Sequence, residues 1–375
     1  MDQRVLSIYR TYFPDPQGGL QEAIRQICIA TNKVGITNTI YTLSPLPQPR
    51  ELNRPEARVV RYRSWAAPAS CDIGDPRAFL GFKRLTQQSD LLHYFFPWPF
   101  ADLLHLTTQP KPPAVMTYIS DVVRQRLLSQ IYRPLMESTL KHMRTIIANA
   151  PSYVDSSPIL SRPDIRRKVE IVPLGIDESS YPQAMDDAIL ARLGLTVGEP
   201  FFIFVGVLRY YKGLSYLIEA AKGVKAKIVI AGSGPEGSSL RQESQLGEVG
   251  NIIFAGQVTD QEKLALISHS IALVLPSHLR SEAYGMVLVE AAMRGKAMIS
   301  CEIGTGTSFV NQHLETGLVV EPQSSPALTG AMVALQDDVA MTAELGRGAR
   351  KRYDKLFSGK ALGEAYASVY RNASR

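Results

Sequence analysis

The chain is poor in the residues that would indicate a disulfide-bonded, zinc-binding or membrane-spanning protein. Its 375 residues include only three cysteines, Cys28, Cys71 and Cys301, which lie far apart and form no CxxC or histidine-rich pattern. Such isolated cysteines argue against a disulfide framework and a zinc site. No apolar run approaches the roughly 18 residues of a membrane span, and residues 1–5 enter a strand-like segment directly. We therefore expect no export signal, no spanning helix and a cytoplasmic location.

Low-complexity tracts and obvious internal repeats are also absent. Hydrophobic residues make up 45% of the chain and charged residues 20%, which is the balance of a globular protein. A chain of 375 residues exceeds the size at which one hydrophobic core keeps growing. The length therefore predicts two domains.

An excess of positive charge is confined to the first half of the chain. Residues 1–180 contain 22 Lys and Arg against 16 Asp and Glu, whereas residues 181–375 contain 19 of each. The net charge of +6 therefore predicts an anionic partner for the first half, such as a lipid diphosphate, an anionic membrane surface or nucleic acid. Nucleic acid is the least favoured, because no zinc-finger or RNA-recognition signature is present.

The most informative segment is SEAYGMVLVEA, which follows a short apolar run of the buried-strand type. The start of the predicted helix directs the backbone N–H groups of Gly285, Met286 and Val287 towards an anion, which suits a diphosphate. Glu290 is then placed to accept from ribose hydroxyls, and Glu282 from the hydroxyls of the group that the diphosphate carries. On spacing alone, a helix cap at Glu282 and a surface acid at Glu290 remain equally open.

Glycine turns follow two further predicted strands. Gly18 and Gly19 follow the first strand and precede an amphipathic helical run, and a plain turn remains open for them. Gly206 follows an apolar strand and is succeeded by Arg209 and Lys212. Two cations beside glycines at a strand end suit a diphosphate, although lysines in surface turns are common.

A third glycine turn has the form of a dinucleotide-binding fingerprint. Gly232 and Gly234 begin a G-x-G-x-x-G pattern between a strand and a helical run. A nicotinamide site would need an acid at the end of the next strand, where Gly256, Gln257 and Val258 stand instead. The sequence therefore disfavours a nicotinamide site at this turn.

Two segments of the first half remain ambiguous. His93 ends an apolar run and is the first residue of the segment HYFFPWPFADLL. A histidine packed in the core and a histidine that faces a ligand are both open here, because open α/β sheets bind ligands at strand ends. Further on, cations alternate with apolar residues, which is typical either of a solvated helix face or of a surface that lies on anionic lipid. These cations are Arg124, Arg126, Arg133, Lys141 and Arg144.

Several segments together resemble one protein family. SEAYGMVLVEA resembles the Glu-x7-Glu motif of retaining glycosyltransferases of the GT-B fold, family four. Four further segments resemble the bacterial polysaccharide mannosyl- and rhamnosyltransferases of that family. They are the stretch that begins at His93, then TYISDVVRQR, GTGTSFVN and ETGLVV. The resemblance spans nearly the whole chain.

The resemblance implies an α/β fold of the GT-B type, with two doubly wound Rossmann-like domains facing a central cleft. Residues 1–175 are expected to form the acceptor-binding domain, to which a C-terminal helix, residues 351–375, crosses back. Residues 176–350 are expected to form the domain that binds the sugar-nucleotide donor.

The resemblance also implies the residues of the site. The expected catalytic set is Glu282, Lys212, Arg209 and Asp121, the last from the TYISDVVRQR segment. The expected nucleotide-binding set consists of glycine turns, the strand end beside the base and the helix start, namely Gly18, Gly19, Gly206, Gly232, Gly234, Gln257, Val258, Gly285, Met286, Val287 and Glu290. No metal and no cofactor other than the donor substrate is expected, because cations and the helix N-terminus can offset the leaving-group charge.

Two positions depart from the family's pattern. Val207 stands where the family has an arginine, so Arg209 is expected to take its place. Ile119 replaces a histidine that touches the donor sugar in the family. An isoleucine there fits a 6-deoxyhexose, whose methyl group packs on it, or marks a degenerate binder without activity.

The sequence thus predicts a retaining, metal-independent hexosyltransferase. It is expected to move mannose or a 6-deoxyhexose such as rhamnose from a nucleotide-diphosphate sugar, with GDP as the expected nucleotide, to a lipid-linked saccharide in O-antigen or exopolysaccharide synthesis. Peripheral contact with the anionic inner membrane and no nucleic-acid partner are expected. A same-fold epimerase or phosphorylase, a non-catalytic sugar-nucleotide binder and a nicotinamide dehydrogenase remain open.

Overall fold

The computed structural model describes residues 3–15, 18–68, 71–121 and 126–375, with side chains from residue 132 onward in the last range. The chain divides into two compact units. The first consists of Met1–Asp177 and Gly359–Arg375, and the second of Glu178–Ser358. No helix among the described residues combines the length and the apolarity that crossing a bilayer requires.

The first unit contains a nine-stranded sheet with the strand order β3-β4-β2-β1-β6-β7-β8-β9, and β5 pairs with β4. The strands are β1 (Gln3–Ile8), β2 (Ile36–Ser44), β3 (Glu51–Asn53), β4 (Arg58–Ala66), β5 (Ile73–Gly74), β6 (Leu91–Phe96), β7 (Ala114–Tyr118), β8 (Thr145–Ala148) and β9 (Val169–Ile171). Among the strands described in this sheet, only β3 and β5 run antiparallel to their neighbour β4. The central strands β6 and β7 are buried throughout, as parallel strands covered by helices on both faces are.

The first unit also contains helices, most of which connect these strands. They are α1 (Gly19–Asn32), α2 (Arg77–Gln87), α3 (Pro99–Thr108), α4 (Arg126–His142), α5 (Pro151–Ser156), α6 (Pro163–Arg166) and, from the end of the chain, α15 (Gly359–Ala373). Helix α15 packs on α1 at close range, since a Cβ at Gly363 would lie 2.5 Å from the carbonyl oxygen of Ala30. The C-terminal helix therefore belongs to the first unit.

His93 lies in the core of the first unit. Its Nε2 forms a 2.6 Å hydrogen bond with Thr117 Oγ1, and its Nδ1 forms a 2.8 Å hydrogen bond with the Tyr370 hydroxyl of α15. The residue has no exposed surface, and burial lowers the pKa of the imidazole to about 3. Of the two readings that the sequence left open, the packed core histidine is the one observed.

The second unit contains a six-stranded parallel sheet with the order β12-β11-β10-β13-β14-β15. Its strands are β10 (Phe201–Val205), β11 (Lys227–Ala231), β12 (Ile252–Gly256), β13 (Ala272–Leu275), β14 (Ala297–Cys301) and β15 (Gly317–Val320). Its helices are α7 (Ala188–Arg192), α8 (Leu214–Ala221), α9 (Gly237–Leu246), α10 (Asp260–His269), α11 (Met286–Met293), α12 (Thr307–Val310), α13 (Ser325–Asp337) and α14 (Val339–Arg352). All strand pairs are parallel, so their carboxyl ends share one edge of the sheet.

The second unit extends further along the chain than the sequence predicted. Helix α14 continues into a wider π-helical turn, Tyr353–Phe357, whose two aromatic residues are buried. The Phe357 ring packs edge to face on Phe309, and Arg352 donates to the Phe309 carbonyl oxygen at 2.7 Å. These contacts keep residues 351–358 with the second unit, so only the helix from Gly359 onward joins the first.

Candidate active site

A buried ion pair lies at the carboxyl edge of the second unit's sheet. Lys212 ends a short helical turn after β10, and Glu282 lies in the loop between β13 and α11. The Lys212 ammonium contacts Glu282 Oε2, which also accepts a 3.1 Å hydrogen bond from Ser277 Oγ. Each member of the pair is only 9% exposed, so each charge depends on the other for compensation.

The turn after Lys212 can fold only with glycine at position 213. Gly213 has a φ of +68°, and a Cβ there would lie 2.1 Å from the carbonyl oxygen of Pro276. This close approach brings the loop after β10 against the loop after β13, where the His278 N–H donates to the Tyr211 carbonyl oxygen at 3.0 Å. The contact between the two loops is what places the lysine beside the glutamate.

The start of α11 is fixed by Gly285. Its φ is +80°, and a Cβ there would lie 2.8 Å from Leu275 Cδ2, so both the backbone conformation and the space require glycine. The backbone N–H groups of Gly285, Met286 and Val287 donate to no acceptor in the described part of the chain. Unpaired donors and the positive end of the helix dipole together suit an anion.

Glu290 lies one turn into α11 and is held by two donors. Its Oε1 accepts from the Tyr181 hydroxyl at 2.6 Å and from Lys263 Nζ at 2.8 Å, while Lys263 also contacts Asp260 at 2.9 Å. Burial disfavours the charged form of Lys263 and by itself would lower the pKa of the ammonium. The carboxylates of Glu290 and Asp260 outweigh this effect of burial, so the pKa is raised. No described residue donates to Glu290 Oε2, which leaves one carboxylate oxygen for a ligand.

Tyr181 and Lys263 are site residues that the sequence did not reveal. Tyr181 lies in the polar stretch just after the boundary between the units, and Lys263 lies in the first turn of α10. A capping box formed by Thr259 and Glu262 does mark the start of that helix. It does not reveal the partner of Lys263, because no spacing rule joins that lysine to Glu290, 27 positions later.

The glycine turns after β10 and β11 contact each other through their backbones. A Cβ at Gly232 would lie 1.9 Å from the carbonyl oxygen of Gly206, and a Cβ at Gly234 would lie 2.4 Å from that of Leu208. These glycines therefore have a packing role in addition to any contact with a ligand.

Replacement of Gly232 by alanine is expected to destabilise the second unit by about 3 kcal/mol or more, since the new methyl group would overlap a backbone oxygen and φ is +137°. The midpoint of urea unfolding, followed by circular dichroism, measures the effect. Gly330→Ala in α13 is the matched control, because no atom in the described part of the chain lies within 4 Å of its Cβ position. Alanine in a helix interior should raise stability by about 0.5–1 kcal/mol. Equal midpoints for the two variants would contradict the packing role.

The remaining predicted residues of the second unit do not join this cluster through side-chain contacts. Arg209 is exposed and forms no ion pair with a described residue. Gln257 is exposed and Val258 half-buried, both directly after β12 at the outer edge of the sheet. All three follow strands at the carboxyl edge, where open α/β sheets bind their ligands.

In the first unit, Gly18 and Gly19 occupy the start of α1. Gly18 is the residue before the helix, with extended backbone, and Gly19 is its first residue. No atom of a described residue lies within 4 Å of the Cβ position of Gly19, so the described part of the chain imposes no steric need for glycine there.

Asp121 follows β7 and is surrounded by hydroxyl groups. Its Oδ1 accepts from the Tyr118 hydroxyl at 2.9 Å and from Ser157 Oγ at 2.7 Å. Its backbone N–H donates to the Tyr153 hydroxyl at 2.7 Å. Ile119, two residues earlier, is half-buried and donates its N–H to the backbone of β6. The carboxylate that the sequence assigned to catalysis thus organises the end of this strand, and its catalytic role stays a prediction.

Within the described residues, no group of three or more His, Cys, Asp or Glu side chains has the arrangement of a metal site.

The glycosyl transferases group 1 family model matches residues 185–352, which contain the ion pair and α11. The D-rhamnosyltransferase WbpZ of Pseudomonas aeruginosa is 41% identical over 355 residues, which cover 95% of this chain and 92% of WbpZ. The chain belongs to the family-four glycosyltransferases of the GT-B fold.

A second curated relative of this glycosyltransferase agrees with the family, and a solved structure agrees with the fold. The O-antigen chain mannosyltransferase C of Escherichia coli is 36% identical over 367 residues, which cover 98% of each chain. The structure of a sucrose-phosphate synthase from Thermosynechococcus elongatus matches the fold with a TM-score of 0.77, at 23% identity, over 99% of this chain and 98% of that one. The family and fold class that the sequence predicted are confirmed, and the dehydrogenase alternative is excluded.

Proposed function

We propose that this glycosyltransferase moves mannose or a 6-deoxyhexose such as rhamnose from a GDP-linked donor to a lipid-linked saccharide, in the synthesis of O-antigen or a related cell-surface polysaccharide. The sugar class is supported by the two full-length relatives, one of which is named as a D-rhamnosyltransferase and the other as a mannosyltransferase. We further propose that transfer retains the anomeric configuration, requires no metal and takes place at the cytoplasmic face of the inner membrane.

The observation that carries the proposal is the buried Lys212–Glu282 pair in the loops that lead to α8 and α11. The bond between the anomeric carbon and the diphosphate oxygen breaks while charge grows on the diphosphate. Lys212 and the free N–H groups at the start of α11 donate to that charge. A diphosphate that draws Lys212 towards itself frees the Glu282 carboxylate to accept from hydroxyls of the donor sugar.

The acceptor hydroxyl oxygen forms the new bond to the anomeric carbon on the face from which the diphosphate departs. Its proton passes to an oxygen of the departing diphosphate, so no protein nucleophile is required. Glu290 holds the nucleotide by accepting from the ribose hydroxyls through Oε2, while Tyr181 and Lys263 fix Oε1. None of these proposed roles requires a metal ion.

A thermal-shift screen of GDP, UDP, dTDP and ADP sugars tests the donor assignment. We expect GDP-mannose or GDP-rhamnose to raise Tm by about 5–10 °C at 100 times its dissociation constant, since such binding adds about 2.7 kcal/mol. Stabilisation by UDP sugars but not by GDP sugars would overturn the assignment of the base. The shift should persist in EDTA, and its loss on chelation would contradict metal independence.

Turnover with a lipid-linked acceptor saccharide completes this test. NMR of the product should show the anomeric configuration of the donor, and inversion would refute the retaining mechanism. Because Ile119 offers only apolar contact, we expect the 6-deoxy donor to be transferred faster than mannose. Donor binding without turnover of any acceptor would instead favour a non-catalytic sugar-nucleotide binder.

A further inference from the structure

An arginine at the carboxyl edge of the first unit's sheet is held in place by a buried carboxylate. Arg10 follows β1, and its Nε donates to Asp72 Oδ2 at 2.9 Å. The Asp72 side chain is only 3% exposed, and it also accepts from Trp98 Nε1 at 3.0 Å and from Ser64 Oγ at 2.8 Å. These three donors lie in or directly after β1, β4 and β6, so the fold itself sets the position of the Arg10 side chain.

The outer end of the Arg10 guanidinium has no acceptor in the described part of the chain. A guanidinium carries several N–H donors in a planar fork, and Asp72 takes only the one on Nε. The side chain is 28% exposed, and neither Nη1 nor Nη2 is enclosed by the protein or bonded to a described residue. The fork of Arg10 is therefore fixed at its base and open to a ligand at its tip.

The hydroxyl group of Tyr9 lies near this fork. The Tyr9 ring packs edge to face on Phe95, with 6.3 Å between the ring centroids, and its hydroxyl forms no hydrogen bond with a described residue. Burial raises the pKa of Tyr9 to about 12, while the charge of Arg10 lowers it and that of Asp72 raises it. Both charges thus act on the hydroxyl, which is a second donor without a partner in the described chain.

The topology of the sheet makes this place a candidate for ligand binding. Strand β1 pairs with β2 on one side and with β6 on the other. Open α/β sheets bind ligands outside the carboxyl ends of the strands at such a change in the direction of strand order. Arg10 follows β1 and Trp98 follows β6, so Asp72 connects the two sides of this switch point.

The chemistry of these groups selects an oxyanion. A planar guanidinium donates to two oxygens of a phosphate at once, and a phosphate oxygen accepts without having to donate. A sugar hydroxyl both donates and accepts, and the fork of Arg10 offers it no acceptor. Asp72 is shared by three donors, so it orients the fork without occupying its tip.

The basic face that the sequence suggested further along the chain offers no comparable group among the described residues. Arg133 of α4 pairs with Glu137 at 2.9 Å, so its charge is compensated. Arg124 and the side chain of Arg126 lie outside the described residues.

We propose that Arg10 and Tyr9 bind the phosphate or diphosphate group through which the acceptor saccharide is joined to its lipid. The inference rests on the proposed function, because the acceptor in that reaction is a lipid-linked saccharide. An anion held at the switch point of the first unit would orient the saccharide attached to it. The diphosphate of the nucleotide has the same chemistry, so binding of the two has to be compared directly.

Tryptophan fluorescence reports binding at this place. The chain contains two tryptophans, and Trp65→Phe leaves only Trp98, which shares Asp72 with Arg10. Titration of this protein with hexyl diphosphate should change the Trp98 emission saturably, whereas hexanol should not change it. A response to GDP that disappears in Arg10→Gln would assign the fork to the nucleotide and overturn the proposal.

Substitutions in the Trp65→Phe protein test the two donors. Arg10→Gln should weaken binding of hexyl diphosphate at least about tenfold, and Tyr9→Phe about fivefold. Tyr9→Phe removes only a hydroxyl without a described partner, so its Tm should match that of the parent. Arg58→Gln is the control and should change binding by less than about twofold, because Arg58 is also paired, with Glu51 at 2.7 Å, but at the amino end of β4. Absence of a saturable response, or equal losses in the control and in Arg10→Gln, would overturn the proposal.

Sugar transfer separates this inference from the proposed function. The acceptor saccharide is supplied both as its hexyl diphosphate ester and as its methyl glycoside. The kcat/KM of the parent should favour the diphosphate ester, and Arg10→Gln should reduce this preference at least about tenfold. If Arg10 only supported the fold, both acceptors would lose equally, and that result would overturn the proposal.

The two assays fail independently. If the parent transfers no sugar while its binding of hexyl diphosphate depends on Arg10 as expected, the proposed function fails and the phosphate site stands. Transfer from a GDP-linked donor without any preference for the diphosphate ester refutes the phosphate site alone.

Discussion

Lys212→Ala is expected to lower the rate of sugar transfer by about 100-fold or more, which corresponds to about 2.7 kcal/mol of lost transition-state stabilisation. The lysine opposes charge that grows on the diphosphate as the glycosidic bond breaks, so its loss should reduce kcat more than it raises KM. Steady-state kinetics with the donor identified by the thermal-shift screen measure both parameters. An unchanged kcat would remove Lys212 from the catalytic set.

A loss of stability has to be separated from this loss of catalysis. Lys212→Ala leaves the Glu282 carboxylate, at 9% exposure, without its counter-ion, and breaking such a buried pair costs about 3–5 kcal/mol at most. The double variant Lys212→Met with Glu282→Gln removes both charges and should recover most of the stability. We expect it to remain inactive. Recovery of transfer together with stability would show that Lys212 acts only through folding.

Glu290→Ala is expected to weaken binding of GDP by about 1.5–3 kcal/mol, or about 10- to 150-fold, because hydrogen bonds from ribose hydroxyls to a charged acceptor are lost. Calorimetric titration with GDP measures this without any turnover. Glu321→Ala, at an exposed position of the same unit, is the control and should bind like the parent.

Lys263 provides a second check on the same site. Lys263→Met removes one of the two donors that fix Glu290 Oε1, so we expect a smaller loss of GDP affinity than for Glu290→Ala. Lys263→Arg retains a cation and should restore part of the affinity. If both Lys263 variants bind GDP like the parent, Lys263 does not position the carboxylate of Glu290.

The local order of elements around the site could be predicted from the sequence. An apolar run, a loop and a glycine before an apolar helical segment were sufficient to predict β13, the loop with Glu282 and the start of α11 at Gly285. These features depend on residues close together in the chain, where spacing determines geometry. The pairing of Lys212 with Glu282 depends instead on Gly213 meeting the backbone of Pro276, a contact that local patterns do not encode.

Other features could not be predicted because their partners are distant in the sequence. Tyr181 and Glu290 are 109 positions apart, and His93 and Tyr370 are 277 positions apart. The sequence therefore left the role of His93 open and gave no role to Tyr181. The predicted start of the C-terminal segment at residue 351 also preceded its observed start at Gly359, because the burial of Tyr353 and Phe357 within the second unit follows from packing.

The division of the first unit between two distant stretches of chain has a consequence for protein synthesis. Tyr370 of helix α15 forms a hydrogen bond with His93, and the helix packs on α1. Helix α15 is translated only after all of Glu178–Ser358. At about 5–20 residues per second, the ribosome needs on the order of 10–35 s for that interval. The nascent first unit meanwhile exposes the face of α1 on which α15 later packs. The first unit can therefore complete its fold only after the segment that carries Tyr370 has been synthesised.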